Sequence, residues 1–257
     1  MTIVACVKVY DGLVLGADSA TQIMGQDDKG NVTLLKSYQN AKKLFQFQAL
    51  PIGILTYGIG NIGKKSIETL LRDFDRENPI PKTSDYKVLD VANKLFAFFK
   101  NAYDKCYASV TEQIKKPILG FYIAGYSHSS TEGEEWEFIL PQHTQPVKVR
   151  ELDVFGSSWR GVSIPFSRLY FGLDPRARKD LADMGIKEEV LSSIQNKYTA
   201  SVIYDGMPVK AAIEFVKFIL KTTIGLSSFE IGSASCSEPI SIAIISQKGE
   251  FNFLENI

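Results

Sequence analysis

Thr2-Ile3-Val4-Ala5-Cys6-Val7-Lys8-Val9-Tyr10-Asp11-Gly12-Leu13-Val14-Leu15-Gly16-Ala17-Asp18-Ser19 reads as a β-hairpin at the start of the chain. β-Branched residues crowd its first half, Asp11-Gly12 is a tight-turn dipeptide, and a second apolar run ends at Asp18-Ser19. Moving outward, a polar excursion from Gly25 to Asn31 precedes Lys42-Lys43-Leu44-Phe45-Gln46-Phe47, which alternates like a strand. Ile52 to Tyr57 is another strand and runs into Gly58-Ile59-Gly60-Asn61-Ile62-Gly63. Strands thus come before any helix.

Two helical patterns follow. Ile62, Ser66, Ile67, Leu70, Leu71 and Phe74 recur at three- and four-residue steps until Asn78-Pro79-Ile80-Pro81 stops them. Thr83-Ser84-Asp85 then leads into Val88, Val91, Ala92, Leu95, Phe98, Phe99, Ala102 and Tyr103. Strand patterns return at Ile118 to Tyr126, Trp136 to Leu140 and Val147 to Phe155. Helical pattern resumes near Pro165 and is strongest after Pro208, before two last strands at Ile240 to Ile245 and Phe251 to Leu254. Grouped strands and grouped helices, without strict alternation, imply an α+β fold of antiparallel sheets with helices packed outside them. The expected organisation is one domain over residues 1–257, with a helical insertion around 174–205.

Composition narrows the function. The chain has 257 residues, 45% hydrophobic, and its 29 Lys plus Arg balance 29 Asp plus Glu. A packed core is therefore expected, and neither nucleic acid nor an anionic membrane is an expected partner. No segment approaches the ~20 apolar residues of a membrane helix, and no leader is legible, so the cytoplasm is the expected location. Cys6, Cys106 and Cys236 lack CxxC spacing and read as reduced thiols. His128 and His143 sit in polar stretches, so no metal or cofactor is expected, and a hydrolytic base would have to be another group. Gly58 to Gly63 spells GxGxxG, but a second helical pattern follows the first where a βαβ unit needs a strand, so a dinucleotide site is not expected.

Thr2 directly follows Met1. Removal of Met1 would leave a hydroxyl and a free α-amine on one residue. Such an amine has an unperturbed pKa of about 7.7–8.0, so a useful fraction is neutral near neutral pH. It could take the hydroxyl proton and so act as base to its own nucleophile.

The chain resembles proteasome β-type subunits, N-terminal-nucleophile hydrolases of the bacterial proteasome-like kind. The resemblance rests on Thr2-Ile3-Val4 with Tyr10 to Ser19, Lys42-Lys43-Leu44-Phe45, Gly53-Ile54-Leu55-Thr56-Tyr57-Gly58, and Pro239 to Ile245. It implies a four-layer αββα sandwich. It also implies Thr2 as nucleophile, Asp18 and Lys43 as its charged supports, Gly58 as oxyanion donor, and Ser157 near the threonine amine. The family's supporting aspartate has no counterpart in Ser233-Ala234-Ser235-Cys236-Ser237-Glu238. The implied activity is threonine-type peptidase action on peptide or unfolded-protein substrates within a homo-oligomer, such as a ring, with any unfoldase partner unidentified. Two alternatives stay open: a non-catalytic ring or scaffold subunit, and an amidase acting on a small amide.

Overall fold

The computed structural model describes residues 2–26, 32–81, 83–110, 116–232 and 234–254, with only the backbone described for 22–26 and 32–35. Strand β1 (Ile3–Val9) turns through Tyr10 and Asp11 into β2 (Gly12–Ala17), so the turn comes one residue earlier than the Asp-Gly pair suggests. Next comes a hairpin the sequence pattern does not announce, β3 (Thr21–Gln26) and β4 (Val32–Tyr38). Residues 27–31 of the polar excursion lie outside the described residues.

β5 (Leu44–Gln46) and β6 (Ile52–Gly58) precede a short hairpin, β7 (Asn61–Ile62) with β8 (Lys65–Ser66). The GxGxxG stretch is therefore a strand end and a hairpin, and the helix begins only after it. That helix, α1 (Ile67–Glu77), starts where the Ser66 side chain accepts the Thr69 amide hydrogen, and it buries Ile67, Leu70, Leu71 and Phe74. Its partner α2 (Val88–Cys106) buries Val88, Val91, Ala92, Leu95, Phe96, Phe99 and Tyr103.

β9 (Leu119–Tyr126), β10 (Gly133–Leu140) and β11 (Val147–Lys148) follow, and then β12 (Gly156–Gly161), which sequence patterning leaves as a loop. Helices α3 (Ile164–Phe171), α4 (Pro175–Asp183), α5 (Glu188–Tyr198) and α6 (Val209–Ser227) lead to β13 (Ser241–Ser246) and β14 (Phe251–Leu254).

The result is a mixed α/β architecture with six helices among the described residues. One five-stranded sheet runs β12-β1-β2-β13-β14 and the other β11-β10-β9-β6-β5, with antiparallel neighbours throughout. Helix α6 packs Val216, Ile219 and Leu220 against Ile3, Ala5, Val7 and Ile242 of the first sheet. Helices α1 and α2 pack their apolar faces on Ile54, Phe121, Ile123 and Phe138 of the second. Between the sheets lie Val4, Cys6, Leu13, Leu15, Leu44, Leu55, Tyr122, Ala243 and Ile245. Each large side chain buried this way contributes about 1.5–3 kcal/mol.

Charges also enter the space between the sheets. Glu137 on β10 accepts two hydrogen bonds from Arg160, at 2.6 and 2.9 Å, and one from the Tyr57 hydroxyl. Glu135, two residues earlier on the same face, pairs with Arg150 and accepts from Tyr122. Through Glu137, Arg160 of β12 in the first sheet is tied to β10 and β6 of the second. Among the described residues no helix is long and apolar enough to cross a membrane.

Candidate active site at the strand ends

The antiparallel β1–β2 register, with Val4 opposite Ala17, sets the start of β1 beside the end of β2. In the other sheet Leu44 lies opposite Leu55, and the Thr56 amide donates to the Lys43 carbonyl at 2.9 Å. Stacking the sheets brings these ends together. Thr2, Lys43, Thr56 and Gly58 line one cleft of about 340 Å³, which Thr21, Tyr38, Ile59 and Glu68 help to enclose.

Asp18 is the hub. Its Oδ1 accepts from the Lys43 ammonium at 2.7 Å and from the Ile3 amide at 3.0 Å. Its Oδ2 accepts from the Ala20 amide at 3.0 Å and the Ser237 amide at 3.3 Å. The Asp18 side chain is fully buried and that of Lys43 is 7% exposed, so the pair is held away from water. Burial lowers the Lys43 pKa, and Asp18 partly restores it. Cys236 packs into the same cluster, its thiol pushed up to about 12 by burial, so it stays protonated. Ser233 lies outside the described residues.

Thr2 is buried and its backbone is gripped from two sides. Its carbonyl accepts from the Val162 amide at 2.7 Å, and the next amide, that of Ile3, goes to Asp18. Opposite Ile3 stands Gly161, at φ +88, where a Cβ would fall 1.9 Å from the Thr2 carbonyl oxygen. Gly161 and Val162 are thus the residues that touch Thr2 from β12 and its exit. Sequence reading missed them. The available signal was a glycine just before Ser163-Ile164-Pro165, a strand-to-helix turn.

Ser157 is a correction. It pairs with Val7, four residues along β12 from Gly161, which puts it roughly 13 Å from the Thr2 end of the strand. The expected residues Thr2, Asp18, Lys43 and Gly58 come together, and Ser157 does not join them. His128 is exposed, the His143 Nδ1 accepts from the Ile139 amide, and neither lines the Thr2 cleft.

Gly58 ends β6 at φ +94, and a Cβ there would meet the Ile118 carbonyl oxygen at 2.1 Å. An alanine would need both a left-handed backbone and a shift of β9. Gly58→Ala is expected to lower stability by about 3 kcal/mol, read as a lower denaturant midpoint at unchanged slope.

No family model matches the chain, and no curated protein matches it in sequence. Solved structures do. An Anbu (Gly-1) mutant from Hyphomicrobium sp. strain MC1 aligns with 98% of this chain and 85% of its own, at 11% identity and TM-score 0.54. The helical assembly of the Anbu complex from Pseudomonas aeruginosa aligns with 99% of this chain and 88% of its own, at 12% identity and TM-score 0.55. At these identities the likeness establishes the fold. It also corrects the family reading: the neighbours are Anbu proteins, a family related to proteasome subunits but distinct from them, and not proteasome β-type subunits.

Proposed function

We propose that the chain is an N-terminal threonine hydrolase that cleaves peptide bonds, active once Met1 is removed and Thr2 carries a free amine. The observation that carries this reading is the buried Lys43–Asp18 pair. Asp18 also holds the amide next to Thr2, and Thr2, Lys43 and Gly58 share one cleft.

In the proposed reaction the Thr2 Oγ attacks the carbonyl carbon as its proton passes to the α-amine. The carbonyl oxygen gains charge and takes a hydrogen bond from the Gly58 amide, a type of contact worth about 2.7–4 kcal/mol in a transition state. The C–N bond breaks and the leaving amine takes the proton from the α-ammonium. Water then hydrolyses the threonine ester, with the amine accepting the water proton and returning one to Oγ. Lys43 disfavours the protonated amine by like charge, and Asp18 keeps Lys43 oriented and charged.

The architecture is read as a four-layer αββα sandwich forming one domain, with 174–205 as an insertion. Self-association is proposed because one structural neighbour is a helical assembly. That neighbour also supports a second reading, an assembly subunit without activity, as does the lack of an aspartate in Ser233-Ala234-Ser235-Cys236-Ser237-Glu238.

The test combines intact mass with turnover of fluorogenic peptides. Native protein should lack one methionine, and its kcat/KM should follow a bell-shaped pH profile. The acid limb should lie below the ordinary α-amine value, because the Lys43 cation favours the neutral amine. Raising pH through the lowered Lys43 pKa removes that cation, so the alkaline limb should set in earlier than an ordinary lysine would allow. Retained Met1 with no turnover would favour the inactive assembly subunit.

A further inference from the structure

A second pocket, of about 110 Å³, adjoins the Thr2 cleft. The two share Lys42 and Glu68, so the smaller is a side chamber of the larger. Apolar groups of Phe45 and Ile54 on one wall and Leu71 on the other flank it, and Asp75 of α1 lines the side chamber alone.

The charges around this chamber are not equivalent. Arg72 is engaged by Glu68 at 2.6 Å. The Lys42 ammonium lies over the rings of Phe45 and Phe253, 5.3 and 5.8 Å from their centroids. Asp75 makes no ion pair among the described residues, and the group that favours its charge is the Gln48 backbone amide. Burial raises its carboxyl to about 6, so at neutral pH it is an ionised group with little to offset its lost hydration. With Arg72 on Glu68 and Lys42 over two rings, Asp75 is the charged group of the chamber that neither a side-chain charge nor a ring engages among the described residues, and it sits beyond apolar walls that suit methylene groups.

We propose that this chamber is a substrate subsite for a basic side chain, whose aliphatic stem lies along Phe45, Ile54 and Leu71 and whose cationic head meets Asp75. The inference rests on the hydrolase reading above and names its substrate class: peptides with lysine or arginine at one position near the scissile bond.

Matched fluorogenic peptides, with lysine or norleucine at each position in turn, test it. At one position lysine should exceed norleucine about tenfold in kcat/KM at pH 7.5, the scale of a hydrogen bond to a charged group. That ratio should fall toward unity below pH 6 as Asp75 is protonated. Asp75→Asn should collapse the ratio, and Asp75→Glu should keep part of it. A ratio unchanged in Asp75→Asn, or norleucine or an acidic residue preferred throughout, overturns the subsite.

A measurement independent of turnover uses n-butylammonium chloride and the carboxyl-carbon resonance of Asp75 in the wild-type protein. The subsite requires a saturable shift and a lower titration midpoint with the amine present; no shift overturns it. If butylammonium saturates while no peptide is cleaved, the hydrolase reading fails and the cation site stands. If peptides are cleaved but the resonance is unmoved, the reverse holds.

Discussion

Lys43→Met is expected to reduce peptide hydrolysis by at least about 10²–10³-fold and to cost the fold about 3–5 kcal/mol. Two separate causes act. Removing the ammonium leaves Asp18 fully buried with its strongest donor gone, since the 2.7 Å contact from Lys43 has no substitute in a thioether. The three backbone amides that remain on Asp18 keep it in place, so the loss should appear as reduced stability rather than as a rearranged site. The activity loss has a different origin: without the cation the Thr2 amine regains the ordinary tendency to be protonated. Chemical denaturation and kcat/KM on the same preparation separate the two effects. Lys43→Arg, which keeps the charge on a larger head group, should recover more stability than activity.

Thr2→Ala should abolish turnover by at least about 10⁴-fold, because it removes the atom that forms the acyl-enzyme. Stability should change by no more than about 1 kcal/mol, since the grip on this residue is through its carbonyl and the following amide, which alanine keeps. Alanine is also small, so Met1 excision should continue and processing would not confound the result. Thr2→Ser should keep measurable activity. An alanine variant that still turns over peptide would move the chemistry to another residue.

The opening hairpin was legible because β1 and β2 are apolar on both faces and carry a turn dipeptide between them. Helices α1 and α2 were legible from their buried stripes. β12 was not, since Gly156-Ser157-Ser158-Trp159-Arg160 lacks a run of β-branched residues, and Arg160 gains its place only by meeting Glu137 of the opposite sheet. Glu135 and Glu137 likewise look like surface residues until Arg150, Arg160, Tyr57 and Tyr122 are assembled around them. No local pattern joins Asp18 to Lys43, which lie 25 residues apart and meet because two sheets stack with their ends aligned. A family resemblance put them together in advance, yet the same resemblance expected Ser157 beside the threonine amine, where the register sets it opposite Val7, and named the wrong family. Gly161 and Val162, which touch Thr2 from β12 and its exit, could have been found only from the turn that follows them.

A peptide epoxyketone examines the proposed role of Thr2 most directly, because its two electrophilic carbons need a hydroxyl and an amine on the same residue to close a ring. Tandem mass spectrometry of the treated native protein should find one adduct, on a chain starting at Thr2, bonded through both Oγ and the α-nitrogen, and absent from Thr2→Ala. A chain that keeps Met1 and takes up no probe, or an adduct on any other side chain, would contradict the account.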